Sequence, residues 1–214
     1  MKSRSVFVTE TFTSIQGEST WAGFPCFFIR LSGCNLRCHY CDSIHTYPQG
    51  RKRSIASLAR QFAASSATIA EITGGEPLAQ AGFGALALAM HNAGKGRPVL
   101  VETNGSKDIS VVPDGVIAVM DIKCPGSGEA ESMDFGNMSR LRPYDEVKFV
   151  ISDRRDFVWA RRLVMKHQLA GLCHAVLFSP VQGRLPASLL AGWVVEAGLP
   201  VRVQVQLHKV LEMQ

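Results

Sequence analysis

Phe24-Pro25-Cys26-Phe27-Phe28-Ile29-Arg30-Leu31-Ser32-Gly33-Cys34-Asn35-Leu36-Arg37-Cys38-His39-Tyr40-Cys41 decides how the rest of the chain is read. Its first half, Phe24 to Leu31, is apolar and rich in β-formers, so it reads as a buried strand that stops at Ser32-Gly33. A loop with three cysteines at Cys-x3-Cys-x2-Cys spacing follows at once. That spacing can wrap three thiolates around one face of a cube of iron and sulfide. A 4Fe–4S cube normally takes four thiolates, so three leave one iron open to an outside ligand. Zinc is the competing reading. It prefers closed four-coordinate sites, and His39 or His45 could supply the fourth ligand.

Working outward, the same order recurs along the chain. Val6 to Phe12 alternates as a strand, and Thr13 to Trp21 reads as a loop. Ser54 reads as an N-cap before Ile55, Leu58, Ala59 and Phe62, which are spaced for a helix. Strands are expected at 68–72, 98–102, 116–120, 146–151, 175–178 and 201–207. Helices are expected at 85–91, 156–167 and 186–197. The 126–136 stretch, rich in Gly, Ser and Glu, reads as an exposed flexible insertion. The repeated strand–loop–helix order predicts an α/β fold with a parallel sheet of about six strands under covering helices. A closed eight-stranded barrel needs about 250 residues. The 214 residues therefore fit a partial, open TIM-like barrel, with 1–214 forming one domain.

Unusual motifs fall just after strands, where parallel α/β folds place their sites. They are the cysteine loop, Thr73-Gly74-Gly75-Glu76-Pro77, Glu102-Thr103-Asn104-Gly105, Asp121-Ile122-Lys123 and Ser179-Pro180-Val181-Gln182. Gly74-Gly75 allows backbone to approach a ligand closely, and Glu76 can accept from an ammonium. An ordinary strand-to-helix turn is the other reading. Glu102 and Asn104 can reach a ribose, or form only a type I turn. Asp121 and Lys123 read either as ligand contacts or as a surface ion pair. Arg30 stands inside an apolar run, where arginine is rarely buried without a partner. Its planar fork suits a carboxylate. Gln16 and Glu18 can read the amino and ring-nitrogen edge of a pterin or guanine. Ser43 offers one hydroxyl, enough for a magnesium ion that keeps its waters. His208 reads as a structural or interface histidine at the end of the last strand.

Composition narrows the classes further. No run of about 18 apolar residues appears, so no membrane span is expected. Met1 to Thr11 lacks an apolar signal core, so a cytoplasmic protein is expected. The formal charge is +5, but the basic residues form no nucleic-acid stripe, and Arg51-Lys52-Arg53 reads as a solvated run. Of the six cysteines, Cys26, Cys124 and Cys173 are scattered and read as small buried hydrophobes.

The cysteine loop, with Tyr40 just before its third cysteine, resembles the radical S-adenosylmethionine (SAM) superfamily. The leader Phe12-Thr13-Ser14-Ile15-Gln16-Gly17-Glu18 and the Phe-Ile-Arg-Leu-Ser-Gly-Cys strand narrow the match. So do Cys41-Asp42-Ser43, Thr-Gly-Gly-Glu-Pro, Glu-Thr-Asn-Gly and the closing Gln206-Leu207-His208-Lys209. Together they resemble the 7-carboxy-7-deazaguanine synthase family over nearly the whole chain. The resemblance implies a homodimeric partial barrel that converts 6-carboxy-5,6,7,8-tetrahydropterin to 7-carboxy-7-deazaguanine with loss of ammonia, a step toward queuosine. It implies that Cys34, Cys38 and Cys41 hold a 4Fe–4S cluster, and that flavodoxin or ferredoxin supplies the electron. Tyr40, Asp42, Gly75, Glu76, Glu102, Asn104, Asp121, Lys123, Ser179 and Gln182 are expected at SAM. Ile15, Gln16, Gly17, Glu18, Arg30 and Thr73 are expected at the substrate, and Ser43 at Mg2+. Ser43 stands where many members have threonine, which keeps the hydroxyl. The chain ends Leu211-Glu212-Met213-Gln214, so the C-terminal proline carboxylate that some members place near the substrate is not carried over. The rival within the superfamily is a glycyl-radical enzyme activase. Outside it, the rival is a zinc or electron-transfer protein.

Overall fold

A computed structural model describes residues 4–213. The readings over Met1 to Thr11 and Leu211 to Gln214 extend beyond it at Met1, Lys2, Ser3 and Gln214. Nine strands, among the described residues, form one sheet in the order β3-β1-β2-β4-β5-β6-β7-β8-β9. The strands are β1 (Ser5–Ile15), β2 (Pro25–Leu31), β3 (Arg51–Ser54), β4 (Ile69–Gly74), β5 (Val99–Thr103), β6 (Val116–Ile122), β7 (Glu146–Ile151), β8 (Ala175–Pro180) and β9 (Arg202–Val203). The helices are α1 (Ile55–Ala64), α2 (Phe83–Gly94), α3 (Arg154–His167), α4 (Leu169–Leu172), α5 (Ala187–Ala197) and α6 (Leu207–Val210). From β2 through β4 to β9 every pairing is parallel. Six of these strands are substantial and β9 is two residues long, so the expected open parallel barrel is present.

Alternation along the strands sorts side chains between two layers. Outward-facing Ile29, Ile72 and Val101 pack with Leu58, Phe62, Leu86 and Met90 of α1 and α2. Outward-facing Ile122, Phe149 and Phe178 pack with Phe157, Ala160 and Val164 of α3 and Leu190 of α5. Inside, Cys26, Phe28, Ile69, Leu100 and Val119 form an apolar plug with Phe12 and Trp21 against it. Above this plug the inward positions turn polar, and that change of character creates the site.

Several expectations are corrected. Arg51-Lys52-Arg53 is largely exposed, as expected, but it also pairs as β3, an edge strand antiparallel to β1. Its charges suit an edge that has a neighbour on one side only. Ser54 is the N-cap residue of α1, but its side chain makes no capping hydrogen bond. β1 runs on to Ile15, paired antiparallel with β2, so Thr13 to Ile15 is strand rather than loop. The 201–207 strand shrinks to Arg202–Val203; Val205 is exposed and His208 lies in α6. The alternation there reflects a segment crossing the barrel mouth. The 126–136 stretch is a run of short 3-10 turns packed against the cysteine loop. Ser127 is fully buried, and its carbonyl accepts from His39 N at 2.9 Å.

Candidate active site

The cysteine loop leaves β2 and is braced from several sides. Leu36 is buried in the core beneath it. The Arg37 guanidinium donates to the Cys34 and Leu36 carbonyls at 2.9 and 2.7 Å and lies over the Tyr47 ring at 4.2 Å. Glu129 accepts from Arg37 N at 2.6 Å, and Tyr40 Oη donates to Val150 O at 3.2 Å. Cys34, Cys38 and Cys41 are free thiols, half-buried on one wall of a cavity of about 760 Å3. Among the described residues, no three His, Cys, Asp or Glu side chains gather as ligands of one metal ion. Thiolates on a cube bind separate irons, whereas zinc draws four ligands to one centre. Three thiols lining one cavity are the donor set of a cube with one iron left open to a ligand.

The two glycines at the end of β4 let the backbone close on the cysteine loop, and both also line the cavity. A Cβ on Gly74 would sit 2.1 Å from Leu31 O, and one on Gly75 would sit 2.0 Å from Gly33 O. Gly75 N and Glu76 N donate to those same carbonyls, at 3.1 and 2.8 Å. This stitches β4 to the start of the cysteine loop. Glu76 is fully buried and does not line the cavity. Its carboxylate accepts from Leu78 N, Thr103 Oγ1 and Asn104 N at 2.9, 2.7 and 2.7 Å. Its expected contact with an ammonium is thus replaced by a structural clamp between two strand-end turns.

The other expected residues converge. Ile15, Gln16, Gly17, Glu18, Arg30, Tyr40, Asp42, Ser43, Thr73, Gly75, Glu102, Asn104, Asp121, Lys123, Ser179 and Gln182 line the same cavity as the three thiols. Asn104 Nδ2 reaches Cys34 Sγ at 3.8 Å and Asn35 Oδ1 at 3.2 Å. Ser43 Oγ donates to Asp42 Oδ1 at 3.1 Å. Arg30 Nε donates to Glu10 Oε1 at 2.9 Å, and its guanidinium lies 5.5 Å from the Phe12 ring centre. The Arg30 terminal nitrogens remain as a fork for an anion.

At the floor lies a charge network that the motif reading missed. Lys148 of β7, 5% exposed, holds Glu18 Oε2 at 2.8 Å, Asp121 Oδ2 at 3.5 Å and Glu102. Lys123 Nζ holds Asp121 Oδ2 at 2.8 Å. Burial pushes the Asp121 and Glu18 carboxyls up, but Lys123 and Lys148 hold Asp121, and Lys148 and Gln206 hold Glu18, below the ordinary carboxylate range. Burial lowers the Lys148 ammonium, but Glu102, Glu18 and Asp121 keep it charged well above its usual range. Asp121 Oδ1 is buried and has no hydrogen-bond partner among the described residues. An orphaned acceptor in a cavity wall fits a bound hydroxyl or amine donor, so the donor set suits SAM.

Glu71 of β4 also lines the cavity and accepts from Gln16 Nε2. Gln206, His208 and Lys209 close the far side, where Leu207 N donates to Gly17 O at 2.9 Å and Lys209 Nζ meets Asp42 Oδ2 at 3.1 Å. His208 is therefore a wall residue of the site. Glu71 and Lys148 carried the signal that singled out Arg30: a charge inside an apolar strand, in Ile69-Ala70-Glu71-Ile72 and Val147-Lys148-Phe149.

Similarities to known proteins agree with this geometry. The Radical SAM superfamily profile matches residues 28–119. A 7-carboxy-7-deazaguanine synthase of Koribacter versatilis is 41% identical over 94% of this chain and 95% of its own. One from Chlorobaculum tepidum is 38% identical over 94% and 92%. One from Methanospirillum hungatei is 35% identical over 97% and 86%. In fold, the chain is similar to the crystal structure of QueE from Escherichia coli, with TM-score 0.72 and 21% identity over 95% of both chains. Streptococcus suis SuiB bound to the precursor peptide SuiA shares the fold at TM-score 0.58 and 10% identity, over 80% of this chain and 46% of SuiB. A three-cysteine loop above a polar barrel floor, and relatives alike along almost their full length, place this chain in the 7-carboxy-7-deazaguanine synthase family of radical SAM enzymes.

Proposed function

We propose that this chain, acting as one catalytic domain, converts 6-carboxy-5,6,7,8-tetrahydropterin to 7-carboxy-7-deazaguanine with release of ammonia. One observation carries the reading. The cysteine loop and the carboxylate- and amide-reading residues Arg30, Thr73 and Gln16 face one cavity of about 760 Å3. The volume is that of an ordinary ligand pocket, and its lining offers a thiol face for a cofactor beside an Arg30, Thr73 and Gln16 face for a substrate.

Cys34, Cys38 and Cys41 hold the 4Fe–4S cluster, and SAM lies against Tyr40, Asp42, Gly75, Asn104, Asp121, Lys123, Ser179 and Gln182. When bound, the cluster and SAM supply the one-electron cleavage that starts hydrogen abstraction from the substrate. The protein binds, orients and excludes water. Arg30 takes the substrate carboxylate, with Thr73 of the next strand at the same level. Gln16, Gly17 and Glu18 hold the ring, and Glu102 meets SAM, held in place by Thr73 Oγ1 (3.3 Å) and Lys148. Ser43 Oγ would supply a protein ligand to Mg2+, which would help to hold the substrate carboxylate.

Flavodoxin or ferredoxin, by this reading, delivers the electron in the cytoplasm, where thiols stay reduced. Val205, Val210, Leu211 and Met213 are exposed apolar residues around α6, and they support a homodimer packed there. The activase alternative requires a protein substrate and gains no support from the relatives.

The direct test of roles is Arg30→Ala. A lost charge-assisted contact is worth roughly 1.5–3 kcal/mol. The substrate dissociation constant should rise about ten- to a hundredfold while SAM binding stays within about twofold. Equal losses for both ligands would remove Arg30 from the substrate site.

A further inference from the structure

The motif assignments leave Glu71 and Lys148 of the cavity wall unused. Besides the Asp42–Lys209 pair, four carboxyl groups (Glu18, Glu71, Glu102 and Asp121) line the cavity with the Lys123 and Lys148 ammonium groups. Lys148 pairs with Glu18, Glu102 and Asp121, and Lys123 with Asp121. Among the described residues Glu71 forms no ion pair, although it is 5% exposed. A carboxyl buried without a cation is costly unless hydrogen-bond donors satisfy it. Gln16 supplies one such donor through Nε2. Gln16 is itself fixed, because its Oε1 accepts from Glu18 N at 3.1 Å. Its amide cannot flip without losing both bonds.

Register shows what else meets at this level. Glu71 is paired with Phe28, and Phe28 with Phe12. The two rings stack at 4.8 Å and both line the cavity. A phenyl wall beside a carboxyl and an amide is a cradle for a flat heterocycle with an N–H edge. Arg30 and Thr73 lie two residues further along the same two strands, about 6.6 Å nearer the cysteine loop. In the substrate class assigned above, the carboxylate and the 2-amino group sit at opposite ends of a fused bicycle. Its carboxylate end must lie toward the cluster, because the reaction begins there. The amino end then points down to Glu71.

Resting on that assignment, we propose that Glu71 is a further substrate-binding residue: its carboxylate takes the N–H donor edge of the 2-amino-4-oxopyrimidine ring, with the Gln16 amide beside it. The state of the free site follows. Burial pushes the Glu71 carboxyl up to about 8, helped by Glu102 and Glu18 and opposed by Gln16 and Lys148. Cys26, on β2, also faces it and is held as a neutral thiol by burial. Below about pH 8 the free protein therefore carries a proton on Glu71. That proton leaves for solvent when the donor edge binds.

The experiment is calorimetric titration of the anaerobic, cluster-loaded protein, without reductant, with 6-carboxytetrahydropterin and with its 2-desamino analogue. Glu71→Gln should weaken the pterin tenfold or more, leave SAM binding within twofold, and weaken the analogue much less. In the wild type, pterin affinity should rise toward pH 8 with proton release, and the preference over the analogue should rise with it. That second reading needs no variant and stands if Glu71→Gln misfolds. Equal losses for pterin and analogue, or no loss, would overturn the proposal and reduce Glu71 to a support for Gln16. Wild-type protein that binds no pterin would overturn the assigned reaction, and this proposal with it. Pterin binding that is unchanged in Glu71→Gln would overturn this proposal alone.

Discussion

Glu71 and Arg30 lie two residues apart along neighbouring strands, and their chemistries suit opposite ends of one ligand. The cost of keeping Glu71 buried is also measurable without a ligand. Its carboxyl has a folded pKa near 8 against an ordinary 4.5. The unfolded chain therefore gives up this proton from about pH 4.5, while the folded protein keeps it to about pH 8. Folded stability falls across that window as pH rises. Glu71→Gln has no such proton, so its stability relative to wild type should climb between pH 5 and 8, by up to about 1.4 kcal/mol per pH unit. Thermal unfolding at both ends of the window checks this; a difference independent of pH would show that Glu71 is ionised in the fold. Arg30 was legible because a charge inside Phe28-Ile29-Arg30-Leu31 demands a partner. Glu71 and Lys148 obeyed the same rule but carried no motif. Glu76 did carry a motif, yet backbone and hydroxyl donors that no spacing announces consume its carboxylate.

At the scale of elements, the decisive piece is the turn between β1 and β2. It crosses the open side of the barrel: Thr20 N donates to Glu146 Oε2 at 3.0 Å on β7, and Ser19 N to Gln204 Oε1 at 3.0 Å. Gly17 allows the crossing, since a Cβ there would lie 1.9 Å from His208 Nδ1 and 2.9 Å from His208 N. Gly17→Ala should cost about 1–3 kcal/mol and weaken substrate binding. Gly17→Ala with His208→Ala should recover part of both, as unfolding and titration would show. The Glu76 clamp joins two other strand-end turns. Glu76→Gln puts an amide nitrogen in place of one carboxylate oxygen, against the Asn104 N–H in its better orientation, and should destabilise by about 1–3 kcal/mol, a fall in Tm of roughly 2–4 °C per kcal/mol. SAM affinity in the folded fraction should be unchanged; a selective loss of SAM affinity would restore Glu76 to the ligand site. The helices and central strands were legible because their apolar periods are long. β3, the end of β1 and the loss of 204–207 from the last strand were not, because edge pairing and mouth-crossing segments depend on neighbours distant in sequence.

At the scale of the molecule, nearly every sequence motif reached one cavity because parallel strands present their carboxyl ends on one side. The same strands put apolar residues outward against the helices and, low in the barrel, inward as a plug. Only the upper inward positions are left for charge. Lys148 then joins the Asp121 side of the cavity to the Glu18 and Glu102 side through one ammonium. No helix among the described residues is long and apolar enough to cross a membrane. The central claim is that this one cavity brings SAM and a carboxylated pterin together for reaction. Its most direct test is anaerobic turnover of protein reconstituted with iron and sulfide, given reductant, SAM, Mg2+ and 6-carboxytetrahydropterin, with products followed by mass spectrometry. The expected result is 7-carboxy-7-deazaguanine accumulating beyond the SAM supplied; cleavage of SAM without that product would contradict the account.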